Sequence, residues 1–374
     1  MTQRRVTIKQ VAAEAGVSIT TVSHVLNDVL GKRVHPDTRA RVKDAAVRLG
    51  YAPNVLAQSL RTQRSNTIGL VGDEIATTPF AGKMILGAQD VALSRDAVVF
   101  VVSTGYQREV EHREIEELLR RQVDGILYAA MYHREVELPP QLASVPTVLI
   151  NASCTAPGVP WVVPDEVAGG QDAAEVLLAA GHRRLAFIND VDEIPAMFGR
   201  EEGFRRRAAQ AGLGADDLQI VTAETDPGGG YTAARRLLQG DQRPTAIFCF
   251  NDRLAMGVYR AATELGLRIP QDLSVVGFDN QEFVADGIFP GLTTIELPHY
   301  DMGVWAAEQL FDRIEAEPQA TKPAPTARLR GPVIYRDSVA PPPWVQDPGE
   351  RREPSDRRAN AGSDGAAPTI HMNK

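Results

Sequence analysis

The chain has 374 residues, a net charge of −8 and two cysteines. Its length admits two or three domains with sizeable cores. The acidity, taken whole, argues against a nucleic-acid binder, and no apolar run is long enough to span a membrane. The charge distribution reverses the first of these exclusions. Residues 1–64 hold eleven Lys and Arg against four Asp and Glu, a net of +7 that leaves −15 for the remainder. A basic end on an acidic body suits a protein whose small end meets phosphate. Cys154 and Cys249 lack metal-ligand spacing, and Cys249 in AIFCF reads as a small core residue. No N-terminal stretch resembles a signal peptide, so the expectation is a soluble, cytoplasmic chain with no metal or cofactor.

Residues 7–27, TIKQVAAEAGVSITTVSHVLN, predict two short helices joined by a tight turn. Thr7 caps the first, whose inward stripe is Ile8, Val11, Ala12 and Ala15; Gly16 ends it. Ser18 caps the second, with Val22, Val25 and Leu26 inward and Ile19, Thr20, Ser23 and His24 on the opposite face. This is a helix-turn-helix, whose second helix has the size to enter a DNA major groove. A third helix is expected from about Pro36 to Leu49, stopped by Gly50, with Val42, Ala45, Ala46 and Leu49 inward. Between them Lys32 and Arg33 are either phosphate contacts or part of a solvated loop.

In YAPNVLAQSLRTQR (51–64), Pro53 blocks helix, Asn54 can cap, and Val55 to Arg61 can form two turns. Such a piece orders only against a partner. Two readings stand: a flexible linker, or a short helix whose Ala57 and Leu60, followed by Arg61 and Arg64, open a minor groove.

Alternating and continuous apolar runs follow at 67–71, 97–103, 124–130, 147–151, 184–190, 219–223, 246–252 and 274–280. Amphipathic helices fall around 81–95, 109–122, 168–180, 199–212, 230–239, 252–266 and 300–315. Apolar strands of this kind are expected to be buried on both faces of parallel sheets. The fold class is therefore an N-terminal all-α helix-turn-helix head on an α/β body of two lobes with doubly wound parallel sheets. Ligands in such folds bind beyond the carboxyl ends of the strands, which here carry Asn151, Asn189–Asp190, Asn251–Asp252 and Asp279–Asn280. Asp252 is expected to cap the helix that follows it. From about Ala340 the composition turns to Pro, Gly, Asp, Arg and Ser without apolar period, and 339–374 reads as a disordered tail with no leucine heptad.

These motifs in this order resemble the lactose-repressor/galactose-repressor family of bacterial transcription regulators. The resemblance runs from about Val6 to Arg336, through the two N-terminal helical stretches and TIGLV. It continues with GHRRLAFI (181–188), GREEGF (199–204), FNDRLAMG (250–257), LSVVGFDN (273–280) and LTTIELP (292–298). It implies a homodimer with a head at 1–50, a hinge helix and linker at 51–65, and a body at 66–338 like the periplasmic sugar-binding proteins. The chain would cross between lobes three times, giving one lobe of about 66–165 and 297–325 and another of 166–296 and 326–338. Dimer contacts would lie around Lys83 to Ala92.

The resemblance also implies site residues. DNA would meet Thr7, Ser18, Ile19, Thr20, Thr21, Ser23, His24, Asn27, Asn54, Ala57, Leu60 and Arg61. Of these, Ile19, Thr20 and His24 would read bases, and Leu60 would be the minor-groove wedge. A small-molecule effector would meet Phe80, Asn151, Arg200, Asn251 and Asp279. Three departures weaken any choice of ligand. Thr225 stands where an aromatic ring is frequent, Leu297 replaces a sugar-contacting glutamine, and Asp165–Glu166 replaces a common asparagine.

The expected function is a sequence-specific DNA-binding regulator, acting as repressor on a near-palindromic operator and controlled by a sugar or sugar derivative. The alternative effector is a nucleoside or other non-sugar corepressor. An enzyme is not expected: the triple glycine 228–230 lacks a GK[ST] ending, and no nucleophile elbow or acid/base pair is found. A solute-binding protein for uptake shares the body pattern but would not carry the basic helical head.

Overall fold

The computed structural model describes residues 6–26, 34–51, 64–74, 81–316 and 324–343. The first three helices are α1 (Ile8–Ala15), α2 (Ile19–Leu26) and α3 (Pro36–Leu49). Their ends are set locally. The Gln10 side chain reaches back to accept from the Thr7 N–H at 2.8 Å, Ser18 Oγ accepts from the Thr21 N–H at 3.1 Å, and Gly16 and Gly50 each close a helix at φ 64°. His35, unforeseen as a cap, holds the start of α3 by accepting from the Asp37 N–H at 3.4 Å. Val11, Val22, Val25, Val42 and Ala45 fill the shared centre, with Ile8, Leu26 and Leu49 at its margin.

Two six-stranded sheets form the rest. The strands are β1 (Thr67–Gly72), β2 (Val98–Ser103), β3 (Gly125–Glu135), β4 (Thr147–Ser153), β5 (Trp161–Pro164), β6 (Leu185–Asp190), β7 (Leu218–Ala223), β8 (Ala246–Cys249), β9 (Ser274–Asp279), β10 (Thr293–Glu296), β11 (Thr326–Leu329) and β12 (Val333–Ile334). The first sheet runs β11-β5-β4-β3-β1-β2, all parallel. The second runs β12-β10-β9-β8-β6-β7, parallel except where β12 meets β10. The helices are α4 (Ala81–Ser94), α5 (Arg108–Arg120), α6 (Glu166–Ala179), α7 (Pro195–Gln210), α8 (Pro227–Gln239), α9 (Asp252–Glu264), α10 (Glu282–Ala285) and α11 (His299–Glu315). Among the described residues no helix is long and apolar enough to cross a membrane.

The chain passes between the sheets at residue 165, at 297–298 and again at 330–332. The third passage corrects the expected lobe limits. The resemblance assigns residues 326–329 to the second lobe, but β11 pairs with β5 in the first sheet, and only β12 joins the second. The crossing segments are tied to one another, Asp165 N–H to Leu329 O at 2.8 Å and Glu296 N–H to Pro332 O at 2.9 Å.

Two further expectations change. β2 is not buried on both faces: it is an edge strand, and Val98 is 58% exposed in the single chain. The tail does not begin at 339. Ala340 donates to Ser274 Oγ at 3.0 Å and its carbonyl accepts from His182, so the packed body continues past the expected boundary. Residues 344–374 lie outside the described residues.

Candidate functional site

On the head, α2 presents Ile19, 44% exposed, and an exposed Thr20, with Ser23 and His24 half-buried beside them. These four side chains share one helical face, opposite Val22 and Val25. Ser18 and Thr21 are occupied in the cap, their hydroxyls 2.9 Å apart, and Thr7 caps α1 at the head's surface. Such helix N-termini present N–H groups that suit phosphate. Asn27, Asn54, Ala57, Leu60 and Arg61, with the expected hinge helix, lie outside the described residues, as does Phe80.

A cavity of about 260 Å³ lies where the carboxyl ends of both sheets face each other. The first lobe contributes Tyr132 and His133 from the end of β3 and Asn151 from β4; the second contributes Asp190, Arg200, Asn251 and Asp279. Four of the five expected effector residues therefore meet in one space. A larger cleft of about 500 Å³ is lined by Asp73, Tyr106, Glu111 and Arg134 of the first lobe alone. A ligand held there would not bridge the two lobes, so the smaller cavity is the better site.

Arg200 is the centre of the cavity's second-lobe wall. Its Nε donates to Glu166 Oε2 at 2.8 Å and Nη1 to the Phe250 carbonyl at 2.5 Å. The guanidinium lies over Phe278 at 3.6 Å and Phe250 at 4.2 Å from the ring centroids. Phe278 in turn packs on the Phe248–Phe187 stack, so the arginine rests on the apolar core of the second sheet. β8 ends at Cys249, short of the expected 246–252 run; the Phe250 N–H still meets the Ile188 carbonyl at 2.8 Å, and its own carbonyl turns to Arg200.

Gly170 on α6 and Gly203 on α7 hold Arg200 and Glu166 in register. A Cβ on Gly170 would overlap the Arg200 carbonyl, and one on Gly203 the Val167 carbonyl, so the two helices meet backbone to backbone. Glu166 is deeply buried. Burial alone would push its carboxyl up, but Arg200 and His133 outweigh it and hold the group below the usual carboxylate range.

The other positions are differently employed. Asn151 sits at φ 56°, and its amide donates to the Ala130 and Met131 carbonyls, both at 3.2 Å. Its Oδ1 is buried without a hydrogen-bond partner. Asn251, not Asp252, caps α9: its Oδ1 accepts from the Leu254 N–H at 2.8 Å, and its amide donates to the Thr225 carbonyl at 3.2 Å. Asp252 is instead drawn inward to the Gln281 N–H and the Thr294 hydroxyl, both at 2.7 Å. Burial and the Asp279 charge push it up to about 8. Asp279 stands at φ 103° and accepts from Gln281 Nε2 at 2.9 Å. Burial raises its carboxyl to about 6 against the pull of Arg200.

Two site residues escape the sequence, His133 and, in its role, Glu166, and a third, Asp190, is placed at a strand end without being assigned. His133 lies beyond the expected 124–130 strand because β3 continues to Glu135. Asp190, its carboxyl raised by burial, ends β6 where the sequence places it among the ligand-facing strand ends. Glu166 is visible only as a departure from the common asparagine; its partner, 34 residues away, is not.

Comparison with known proteins agrees with this geometry. Residues 7–54 match the model of bacterial regulatory proteins of the lacI family, and residues 174–339 that of the periplasmic binding protein-like domain. The ribose operon repressor of Escherichia coli (strain K12) is 34% identical over 311 residues, which cover 82% of this chain and 93% of that protein. The structure of the Lac repressor dimer bound to operator and the anti-inducer ONPF is similar at a TM-score of 0.73 and 25% identity, over 90% of this chain and all of that one. A LacI-family transcriptional regulator from Enterococcus faecium with bound ribose gives a TM-score of 0.60 and 28% identity, over 74% of this chain and 99% of that one. A helix-turn-helix head and a ligand-binding body on one chain, with relatives of this kind along most of its length, place it: the chain belongs to the lacI family of bacterial regulatory proteins.

Proposed function

We propose that this regulator works in the cytoplasm as a homodimeric repressor whose grip on a near-palindromic operator is set by a sugar or sugar derivative. The observation that carries the reading is the cavity lined by both lobes, on the same chain as the head. A ligand touching Asn151 on one lobe and Arg200 and Asp279 on the other biases the angle between them, and only such differential contact can shift a conformational equilibrium. The lobe limits that fit the topology are about 66–165 and 297–329 for the first, and 166–296 and 330–343 for the second. Asn251 contributes through its capping position rather than as a free amide.

A flat nucleobase is the less favoured ligand. Thr225 offers no ring on the second-lobe wall, and the Phe250 face is already taken by Arg200. Polar side chains on every side suit hydroxyls better.

For the dimer, Leu86 and Leu93 of α4 and Val98, Phe100 and Val101 of the edge strand β2 are exposed apolar side chains on the first lobe. A second copy would cover them. Two heads would then meet two half-sites in adjacent major grooves, with Ile19, Thr20 and His24 at the bases and Leu60 as the central wedge.

The test is selection of a random duplex pool on the full-length dimer, followed by anisotropy with the selected DNA at fixed salt. The reading expects a near-palindrome to be enriched and Leu60→Ala to lose affinity for it. A pool with no enrichment, with and without a sugar panel, would overturn it.

A further inference from the structure

The cavity's charges do not balance. Its wall carries five carboxylates, Glu74, Glu166, Asp190, Asp192 and Asp279, against two guanidinium groups, Arg200 and Arg253. Arg200 is already answered by Glu166 at 2.8 Å. Asp190 and Asp279 make no ion pair among the described residues; their oxygens accept from the Asp192 N–H at 3.0 Å and from Gln281 Nε2 at 2.9 Å. Both carboxyls are raised by burial, against the pull of Arg200 and, at Asp279, also of Arg253. Such a surface carries more carboxylates than cations and repels an acidic ligand.

A second observation concerns acceptors. Asn151 is 2% exposed and Glu166 4% exposed, and both line the cavity. Asn151 Oδ1 has no hydrogen-bond partner, whereas Glu166 Oε1 faces His133 Nδ1 at 3.4 Å. A buried acceptor without a donor carries its full desolvation cost, which an incoming donor removes. The Asp190 and Asp279 carboxyls, without an ion pair of their own, and the unpartnered Asn151 Oδ1 ask for the same group, an ammonium with three N–H bonds.

We infer that the effector is a polyol bearing a protonated amine, an amino sugar, favoured over neutral and acidic sugars of the same size. This rests on the sugar reading above and narrows it. The ammonium sits between the Asp190–Asp279 side of the second lobe and Asn151 of the first, so its charge draws the lobes together. The ring hydroxyls meet the remaining polar wall.

The experiment is isothermal titration of the full-length protein at neutral pH with three matched sets. These are glucosamine, galactosamine and mannosamine; glucose, galactose, mannose and ribose; glucuronate, galacturonate and glucose 6-phosphate. One amino sugar is expected to bind at least about tenfold more tightly than its neutral counterpart, and the acids more weakly than either. Asp190→Asn should bring the ratio of amino-sugar to neutral-sugar affinity down to within about twofold of one, whatever it does to the absolute affinities. Asp279→Asn, on another strand, should lower the same affinity ratio, and it serves as the second variant if the first fails to fold. A neutral sugar binding as tightly as its amino form, or an acid binding more tightly, overturns the inference and leaves the sugar reading standing. No binding by any member of the three sets overturns both.

Discussion

Arg200 Nε and Glu166 Oε2 stand 2.8 Å apart with each side chain only 4% exposed. This pair joins two helices of the second lobe at the wall of the ligand cavity. Its desolvation cost is repaid only while both partners are present. Glu166→Ala leaves a buried guanidinium without its counter-charge. The expected loss is about 3–5 kcal/mol of unfolding free energy. Urea denaturation checks this, and Glu166→Gln, which keeps an acceptor, should cost clearly less. Equal stability of Glu166→Ala and wild type would show that the pair is not formed in solution.

The glycines behind that pair give a separate prediction. Gly203→Ala places a methyl on the Val167 carbonyl and must push α7 away from α6. A cost of about 1–3 kcal/mol is expected from such overpacking. The head does not depend on this contact, so affinity for selected DNA without ligand should persist while the ligand response is lost. Denaturation and DNA anisotropy on the same preparation separate the two effects.

Acid should weaken the second lobe through His182. Its Nε2 donates to the Ala340 carbonyl and lies beside Ser274 Oγ, and its Nδ1 meets Thr245 Oγ1, all at 2.9 Å. Burial lowers its pKa from 6.5 to about 4, the Ala340 carbonyl opposing. Between those values the unfolded chain takes up a proton that the folded one does not. Stability is therefore complete above about pH 6.5 and falls as pH drops toward 4, by about 2 kcal/mol at pH 5 from this group. His299, lowered to about 3 by burial and by Lys83, acts in the same direction. The urea midpoint at pH 5 should lie below that at pH 7.5, and His182→Gln should flatten the difference.

On the head, His24→Ala should cost about 1–3 kcal/mol in affinity for the selected duplex and relax the preference at one base step. Its stability should hardly change, because His24 lies on the face opposite the Val22–Val25 stripe. Repeating the selection with the variant reads out the affected base pair. A uniform loss across all sequences would mark His24 as a phosphate contact instead.

How much of the molecule is legible in its sequence depends on distance along the chain. The caps of α1 and α2 rest on Thr7–Gln10 and Ser18–Thr21, three residues apart, and the motif shows them directly. The long strands of both sheets carry their own apolar runs. β5, β10, β11 and β12, of four residues or fewer, are too short to stand out even where the run is apolar, as in WVVP, and TARL at 326–329 becomes a strand only because β5 accepts it as a neighbour. β2 has the apolar composition of a buried strand but lies at an edge, a fact about topology rather than composition. In the site, Arg200, Asn151 and Asp279 follow from strand ends and motif. The capping role passes from Asp252 to Asn251 because Gln281 and Thr294, far along the chain, draw the aspartate inward. Glu166 requires the same three-dimensional information.

The central claim is that one ligand in the interlobe cavity changes the grip of a distant head, and linkage makes this measurable in both directions. The decisive measurement is the operator affinity with and without saturating ligand, set beside the ligand affinity with and without saturating operator. The account predicts a factor of about 5–150 in each, of the same size and sign. Tight ligand binding with operator affinity unchanged would contradict it.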